Sequence, residues 1–268
     1  MSVMCRLYGV SRCGYYAWRA RPVSERAKSN TGLWQRILRI HADSRKTYGS
    51  PRIHRQLRRE GECVGRSRIE RLMRQNGLKA RAATLYHANP GTHAFFAAIP
   101  NVSRDHRAIG PDQIWVGDIT YLQVGTQWRY LATVMDKFSR RIVGWSLGRN
   151  KDVNLTLAAL NRAVFNRRPG PGVIFHSDRG IEYAAYAFRD RLTQLGFAQS
   201  MNRPGAMTDN AHMESFFHSF KSDEIHGRDF GNEREMVRVI RSYIPFYNHR
   251  RLHSLLGYVP PAEYEQRT

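Results

Sequence analysis

The amino-acid sequence predicts an α/β fold, a mixed sheet flanked by helices and preceded by a small all-α region. Apolar residues recur at helical spacing through the first third of the chain. From residue 114 onward, three strand-like runs are followed by alternating helix and strand, the order that builds a mixed sheet. The 268 residues, 41% of them hydrophobic, suffice for one large domain or two modest domains with real cores.

The first residues are predicted to form short helices. Ser11 is placed to cap the helix that follows it, and a longer helix is expected around Leu33–Ala42. Ser50 suits a helix cap, and Pro51 suits the first position of a helix over Pro51–Glu60.

Residues 50–77 form a candidate helix-turn-helix. The chain turns at Gly61, and a second helix is expected over about Gly65–Asn76, so that apolar side chains of the two helices can meet. The second helix carries four arginines that could read DNA. They are Arg66, Arg68, Arg71 and Arg74. Many small helical hairpins share this pattern, so a purely structural hairpin stays an alternative.

Positive charge is concentrated at the N-terminal end. The formal net charge is +21; residues 1–100 contain 20 Lys and Arg against 5 Asp and Glu, and residues 101–268 contain 23 against 17. Such an excess favours an anionic polymer as partner, because each neutralised phosphate releases counterions. Ribosomal and membrane-surface proteins can be equally basic, so charge alone favours nucleic acid without fixing it.

Cysteine content and hydropathy exclude other classes of protein. Cys5, Cys13 and Cys63 form no paired framework, which suits a reducing cytosol, and their spacing with the histidines predicts no structural zinc. No apolar run is long enough for a membrane span or a signal peptide, so neither export nor membrane spanning is expected.

The second region is predicted to carry five strands. Three runs joined by hairpin-sized links occupy Ile114–Val124, Arg129–Asp136 and Arg141–Leu147. A fourth strand, Val173–His176, and a fifth, Phe197–Met201, are separated by helix-forming sequence. Residues 91–112 are interpreted as a linker between this region and the helical one.

Three carboxylates are candidates for a common site. Asp118 lies within a strongly apolar strand, where an acid is costly unless it is paired. Asp178 follows the fourth strand, at the carboxyl end where ligand groups gather. Glu214 lies on a predicted helix over Asp209–His226, at the flank of its apolar stripe, and Lys221 shares its side. Taken singly, the three acids could equally be an internal acceptor, a turn residue and a surface acid.

Together, these acids would suit metal-assisted chemistry at phosphorus. Oxygen ligands favour Mg²⁺ or Mn²⁺ over Zn²⁺. Two such ions about 4 Å apart can activate an attacking hydroxyl and stabilise the leaving oxygen. Lys221 could hold a substrate phosphate beside them.

The sequence words around the acids resemble the integrase catalytic core. They are most similar to transposases of the large bacterial insertion-sequence group encoded in two overlapping frames, which have Asp, Asp and Glu with 35 residues in the second gap. Residues 31–90 resemble the helix-turn-helix segment of that group. The matching words of the core are Trp115–Tyr121, His176–Gly180, Asp209–Phe217 with Lys221, and Tyr247–His253.

The resemblance implies an RNase H-like core over residues 113–268 and a basic DNA-binding region over 1–90. Catalysis and metal binding would fall to Asp118, Asp178 and Glu214, with two Mg²⁺ or Mn²⁺ ions per site. The activity implied is 3′-end cleavage and strand transfer at the ends of a mobile element. Lys221 would contact a DNA phosphate, and Arg250 and Arg251 could grip DNA or belong to a solvated tail.

The same resemblance implies partners and a location. Double-stranded DNA would be bound at terminal inverted repeats and at the target, by a homo-oligomer in the bacterial cytoplasm, associated with the nucleoid. The chain resembles the downstream-frame product, which in this group usually acts as a fusion with an upstream-frame product.

Several residues and functions are left open at this stage. Glu182 stands where Gln is expected, and an extra acid could be harmless or could repel DNA. Asp136 is interpreted as a turn residue, and Asp209 and Asp223 as cap and surface acids. His176 and His218 could contact phosphates or have ordinary packing or surface roles. The alternative functions are an RNase H-like nuclease that cuts without joining and a non-catalytic DNA-binding regulator.

Overall fold

The computed structural model describes residues 2–22, 24–80, 99–104, 106–203 and 210–267. The chain divides into two compact units, Met1–Ala80 and Arg81–Thr268. The first part of the proposed linker, residues 91–98, lies outside the described residues. None of the described helices combines the length and the apolar character needed to cross a membrane.

The smaller unit is helical. Its core is formed by apolar side chains of the third, fourth and fifth helices, among them the fully buried Ile37, Ile53 and Ile69. Ser11 caps the second helix by accepting a hydrogen bond from Gly14 N, as predicted. The helices are α1 (Ser2–Leu7), α2 (Arg12–Arg19), α3 (Glu25–Asp43), α4 (Ser50–Arg59) and α5 (Arg66–Gln75).

Helices α4 and α5 form the predicted helical hairpin. Ile53 and Leu57 of α4 are buried, as are Leu72 and Met73 of α5. The predicted capping role of Ser50 is wrong. Gly49 has the extended backbone of the N-cap, so Ser50 is already helical and its side chain accepts no capping hydrogen bond.

The larger unit is built on a five-stranded sheet in the order β3-β2-β1-β4-β5. Strands β1, β2 and β3 pair antiparallel, whereas β4 pairs parallel with both β1 and β5. This mixed topology is the predicted RNase H-like sheet. The strands are β1 (Ile114–Val124), β2 (Gln127–Asp136), β3 (Ile142–Gly148), β4 (Ile174–Ser177) and β5 (Ala198–Met201).

Helices cover both faces of the sheet. Alternation along β1 sends Trp115 to a core shared with α6 and α8, and Val116 to a core shared with α9 and α10. Gly144 of β3 lets α6 approach closely, since a Cβ there would lie 2.3 Å from Ala159 O. The helices are α6 (Val153–Arg167), α7 (Ile181–Ala184), α8 (Tyr186–Gln194), α9 (Ala211–Phe220), α10 (Glu233–His249) and α11 (Pro261–Gln266).

Two further segments refine the predicted boundaries. The long helix predicted over Asp209–His226 is divided: α9 ends at Phe220, and Lys221–Ile225 forms a π-helical turn, while Asp209 lies outside the described residues. Residues 99–104 attach to β5, because Ser103 N donates to Ser200 Oγ at 3.1 Å.

Candidate active site

Asp118 lies on β1, and Asp178 directly follows the neighbouring parallel strand β4 at the equivalent register position. In the register of β1 and β4, Gly117 is opposite Ser177, so each aspartate is the next residue along its strand direction. Neighbouring strands lie about 4.8 Å apart, which places the two carboxylates side by side. Each accepts a hydrogen bond from a nearby amide, Asp118 Oδ1 from Ile119 N at 2.7 Å and Asp178 Oδ1 from Gly180 N at 3.0 Å.

The pKa values of both aspartates are raised. Burial, followed by the charge of Asp178, raises the pKa of Asp118 well above its usual range, and Glu214 adds to the rise. Burial also raises the pKa of Asp178, with a contribution from Glu182. Clustered carboxylates of this kind are suited to binding a cation.

Glu214 lies on the exposed side of α9, beside the buried stripe. Asn210, the N-cap residue of α9, donates from Nδ2 to Gly117 O at 3.4 Å and so ties the start of the helix to β1. The stripe itself is buried as predicted: Met213, Phe216, Phe217 and Phe220. Glu214 is therefore carried on the face of the sheet toward which Asp118 points.

The three carboxylates are neighbours but do not form a closed ligand set. Among the described residues, no three His, Cys, Asp or Glu side chains are grouped closely enough to hold a metal ion. Residues 204–209, immediately before α9, are outside the described part of the chain. The charge of Glu214 contributes to the raised pKa of Asp118.

Lys221 is the first residue of the π-helical turn that follows α9. Its Nζ is 4.5 Å from the ring centroid of Tyr121, a cation–π contact. Burial lowers the pKa of Lys221, and the charge of Asp118 opposes that change, so the two groups are close enough to interact.

Lys151 and Glu182 are additional charged groups at the site. Lys151 Nζ lies 3.5 Å from Glu182 Oε1, and its charge lowers the pKa values of Asp118 and Asp178. Glu182 is only 5% exposed, and its Oε2 has no hydrogen-bond partner among the described residues. Glu182 therefore belongs to the acidic site, whereas nothing in the sequence pattern distinguished Lys151.

The arginines of α5 fall into two groups. Arg68 donates from Nε to Asn30 Oδ1 and from Nη2 to Ser29 Oγ, both at 2.9 Å, and so links α5 to α3. Arg66 and Arg74 are exposed and Arg71 is half-buried. Arg68 therefore has a structural contact that the sequence did not indicate.

The two C-terminal arginines differ in the same way. Arg250 is exposed, but Arg251 is 5% exposed and donates from Nε to Asp223 Oδ2 at 2.8 Å. The surface role predicted for Asp223 is wrong, because this acid is buried and also accepts from Tyr243 Oη. Because the charge of Arg251 is engaged in a buried ion pair, this side chain is not expected to make the predicted DNA contact.

His176 and Asp136 each have hydrogen-bond partners within the fold. His176 is buried between Ser200 Oγ at 2.9 Å and Asn202 Oδ1 at 2.8 Å. Asp136 is buried in the β2–β3 turn, where its Oδ1 accepts from Phe138 N and Ser139 N. Asp136 is thus the turn residue that the sequence predicted. His218 is exposed on α9.

An RNase H-like sheet with acids on β1 and after β4, and a third acid on α9 after β5, is the arrangement of a polynucleotidyl transferase of the integrase type. Comparison with known families agrees. Two families described as "Integrase core domain" match residues 109–206 and 214–268, and an "HTH-like domain" family matches residues 29–84.

Full-length relatives identify the family. The "Insertion element IS600 uncharacterized 31 kDa protein" of Shigella sonnei is 37% identical over 266 residues, 98% of each chain. The "Transposase InsF for insertion sequence IS3A" of Escherichia coli (strain K12) is 33% identical over 271 residues, 100% of this chain and 94% of that one. The chain belongs to the IS3-type insertion-sequence transposases.

One solved structure is a more distant match. The HTLV-2 integrase catalytic core domain in complex with magnesium is 16% identical, with a TM-score of 0.43, over 59% of this chain and 99% of that chain.

Proposed function

We propose that this DNA transposase cuts the 3′ ends of its mobile element and joins them to target DNA with Asp118, Asp178 and Glu214 as its catalytic acids. The observation that carries the assignment is the placement of Asp118 on β1 and of Asp178 directly after the adjacent parallel strand β4, at equivalent register positions and with mutually unfavourable charge. Glu214 lies close enough to add to that charge.

The donor set fits divalent cations. All three side chains offer oxygen ligands, the preference of Mg²⁺ and Mn²⁺, and a bound cation would relieve the repulsion between the aspartates. Two bound ions would supply activation of the attacking hydroxyl and stabilisation of the leaving oxygen. Asp118 and Asp178 would hold them from the sheet, and Glu214 would complete the ligand set from α9.

The basic groups near the acids would position DNA. Lys221, held over Tyr121, would contact a backbone phosphate beside the reacting bond. Lys151 would keep the acids ionised through its charge. In the smaller unit, Arg66, Arg71 and Arg74 would face terminal inverted repeats in the DNA.

The assembly is part of the same proposal. Two transposon ends must be held together during joining, so the working form would be a homo-oligomer on DNA, in the cytoplasm with the nucleoid. A fusion with an upstream-frame product would add further DNA-binding and dimerising sequence. Residues 1–90 would serve DNA binding and residues 113–268 catalysis.

A joining assay tests the catalytic assignment. With a pre-cut 3′ end and Mg²⁺, the variants Asp118→Asn, Asp178→Asn and Glu214→Gln should each lose about 10³-fold or more of the joining rate while still binding DNA. Asp190→Asn is the matched control, because Asp190 is an exposed acid on α8.

The same assay separates the alternatives. Cleavage without joined product from the unaltered chain would favour a nuclease, and an absence of any metal-stimulated reaction would favour a regulator. Full joining by Asp118→Asn would disprove the assigned site.

A further inference from the structure

A basic cleft lies in the larger unit, and none of the three proposed catalytic acids lines it. Its volume is about 750 Å³. The side chains come from the segment before β1, the β2–β3 turn, α9 and the C-terminal end of the chain. The residues that define the basic cleft here are Arg104, Arg107, Lys137, Arg140, His212 and Tyr264.

The described lining of this cleft is basic. Four Lys and Arg side chains line it together with two histidines, and no Asp or Glu is among its described lining residues. Asp105 lies outside the described part of the chain. Concentrating like charges on a concave surface is unfavourable by itself and focuses a positive potential that attracts anions.

Arg140 is fixed in place at the cleft. Its backbone has a φ of 61°, in the left-handed region, and its N–H donates to Asp136 O at 2.8 Å. The buried Asp136 holds the same turn through its side chain. Burial lowers the pKa of Arg140, and the interaction with Tyr247 opposes this change only in part, so the charge of Arg140 is partly desolvated. An anion in the cleft would compensate for this desolvation.

His212 adds a polar atom that has no internal partner. Its Nδ1 is buried without a hydrogen-bond partner among the described residues. In the tautomer that carries its proton on Nδ1, the ring can donate one hydrogen bond to an anionic oxygen in the cleft.

Apolar surface adjoins the cations. The rings of Phe138 and Tyr264 lie 5.2 Å apart at the cleft, and Leu255 is 71% exposed. Cations that contact phosphates, next to aromatic and aliphatic surface that contacts sugars and bases, are the combination found in grooves that follow a nucleic-acid strand. A small inorganic anion would not use the apolar part.

We propose that the basic cleft is a second DNA-binding surface, which takes the phosphodiester backbone of a DNA strand in addition to the DNA bound by α5. The proposal rests on the proposed function only for the identity of the polymer as DNA. The cleft would hold DNA on the catalytic unit itself, through Arg107, Arg140 and His212.

The test is salt-dependent binding by the full chain in EDTA, where no catalysis occurs. Binding of a fluorescein-labelled 30-base-pair duplex, and of one of its strands alone, is followed by anisotropy at several salt concentrations. The variant Arg107→Gln/Arg140→Gln should bind about ten-fold more weakly, and the slope of log K against log salt should fall by about 2.

The matched control removes the same charge elsewhere. In Arg168→Gln/Arg189→Gln, Arg168 has a left-handed backbone like that of Arg140, with φ 49°, and Arg189 is exposed like Arg107. The control should change affinity less than three-fold, since only the general field is altered. Thermal unfolding checks that both variants fold, and Arg104→Gln/Arg107→Gln serves as a second cleft variant at exposed positions.

Equal losses in the cleft and control variants would overturn the proposal, because they would reflect net charge alone. Unchanged binding in both cleft variants would overturn it as well. Neither result touches the catalytic acids, whose test is the joining rate, so the two proposals fail separately.

Discussion

The two units of this transposase use charged residues differently. In the helical unit, ion pairs lie at the surface: Arg36 with Glu62 and Arg39 with Glu60 are substantially exposed. The catalytic unit has exposed pairs as well, but it also contains the buried Arg251–Asp223 pair, where both side chains are at most 5% exposed. Exposed charge is open to a binding partner, whereas buried charge specifies the fold or, at Asp118, the proposed chemistry.

Breaking the buried pair should give the largest effect on stability. Arg251→Ala leaves Asp223 buried without its cation, so the catalytic unit should lose about 3–5 kcal/mol of unfolding free energy. Urea unfolding followed by circular dichroism measures it. Arg250→Ala, at the exposed neighbouring position, should stay within about 0.5 kcal/mol. Equal effects of the two substitutions would contradict the distinction between buried and exposed charge.

In the helical unit, charge removal should affect DNA binding and leave stability unchanged. Arg66→Gln/Arg71→Gln/Arg74→Gln should weaken duplex binding at least about ten-fold and lower the salt slope by up to about 3. Arg68→Gln is the informative control, since Arg68 bonds to Asn30 and Ser29. Arg68→Gln should lower the melting temperature and change the salt slope of DNA binding less than the triple variant does. A larger change in the salt slope without loss of stability would instead make Arg68 a DNA contact.

At the acidic site, the ionised carboxylate of Asp118 that the proposed catalysis needs should lower the free energy of unfolding. Burial and Asp178 raise the pKa of Asp118, so the folded protein binds this proton more tightly than the unfolded chain does. Stability from this group is therefore greatest at acidic pH and is lost as pH rises through the raised pKa.

In EDTA at pH 7, Asp118→Asn should consequently be more stable than the unaltered chain, by about 1 kcal/mol or 2–4 °C. The difference should shrink toward pH 4. Melting temperatures measured by calorimetry across this range check the sign, and a less stable asparagine variant at pH 7 would show that the carboxylate is already compensated.

The smallest effect is expected at Glu182. Glu182→Gln removes the partner of Lys151 and a charge next to Asp178. Joining should fall less than about ten-fold, because Glu182 acts through those neighbours, in contrast to the far larger losses at the three acids. The joining assay with Mg²⁺ measures it; a loss as large as that of Glu214→Gln would make Glu182 a fourth essential acid.

Local patterns predicted what depends on neighbours in sequence. Alternation along β1, the apolar stripe of α9 and the Gly61 turn indicated elements within a few residues of their observed ends, and the words around Asp118, Asp178 and Glu214 indicated the acids. Features set by tertiary contacts were missed, since no local pattern marks them. Lys151 meets Glu182 only when the β3–α6 connection and α7 come together. Asp223 and Arg251 form their buried ion pair across 28 positions of sequence.

Direct titration with Mn²⁺ tests most sharply whether the three acids bind metal together. Electron paramagnetic resonance of free Mn²⁺ at pH 7.5 should show two ions bound per chain for the unaltered protein and for Asp190→Asn. Asp118→Asn, Asp178→Asn and Glu214→Gln should each lose at least one ion or weaken binding by about ten-fold or more. Unchanged stoichiometry and affinity in all three variants would contradict the account.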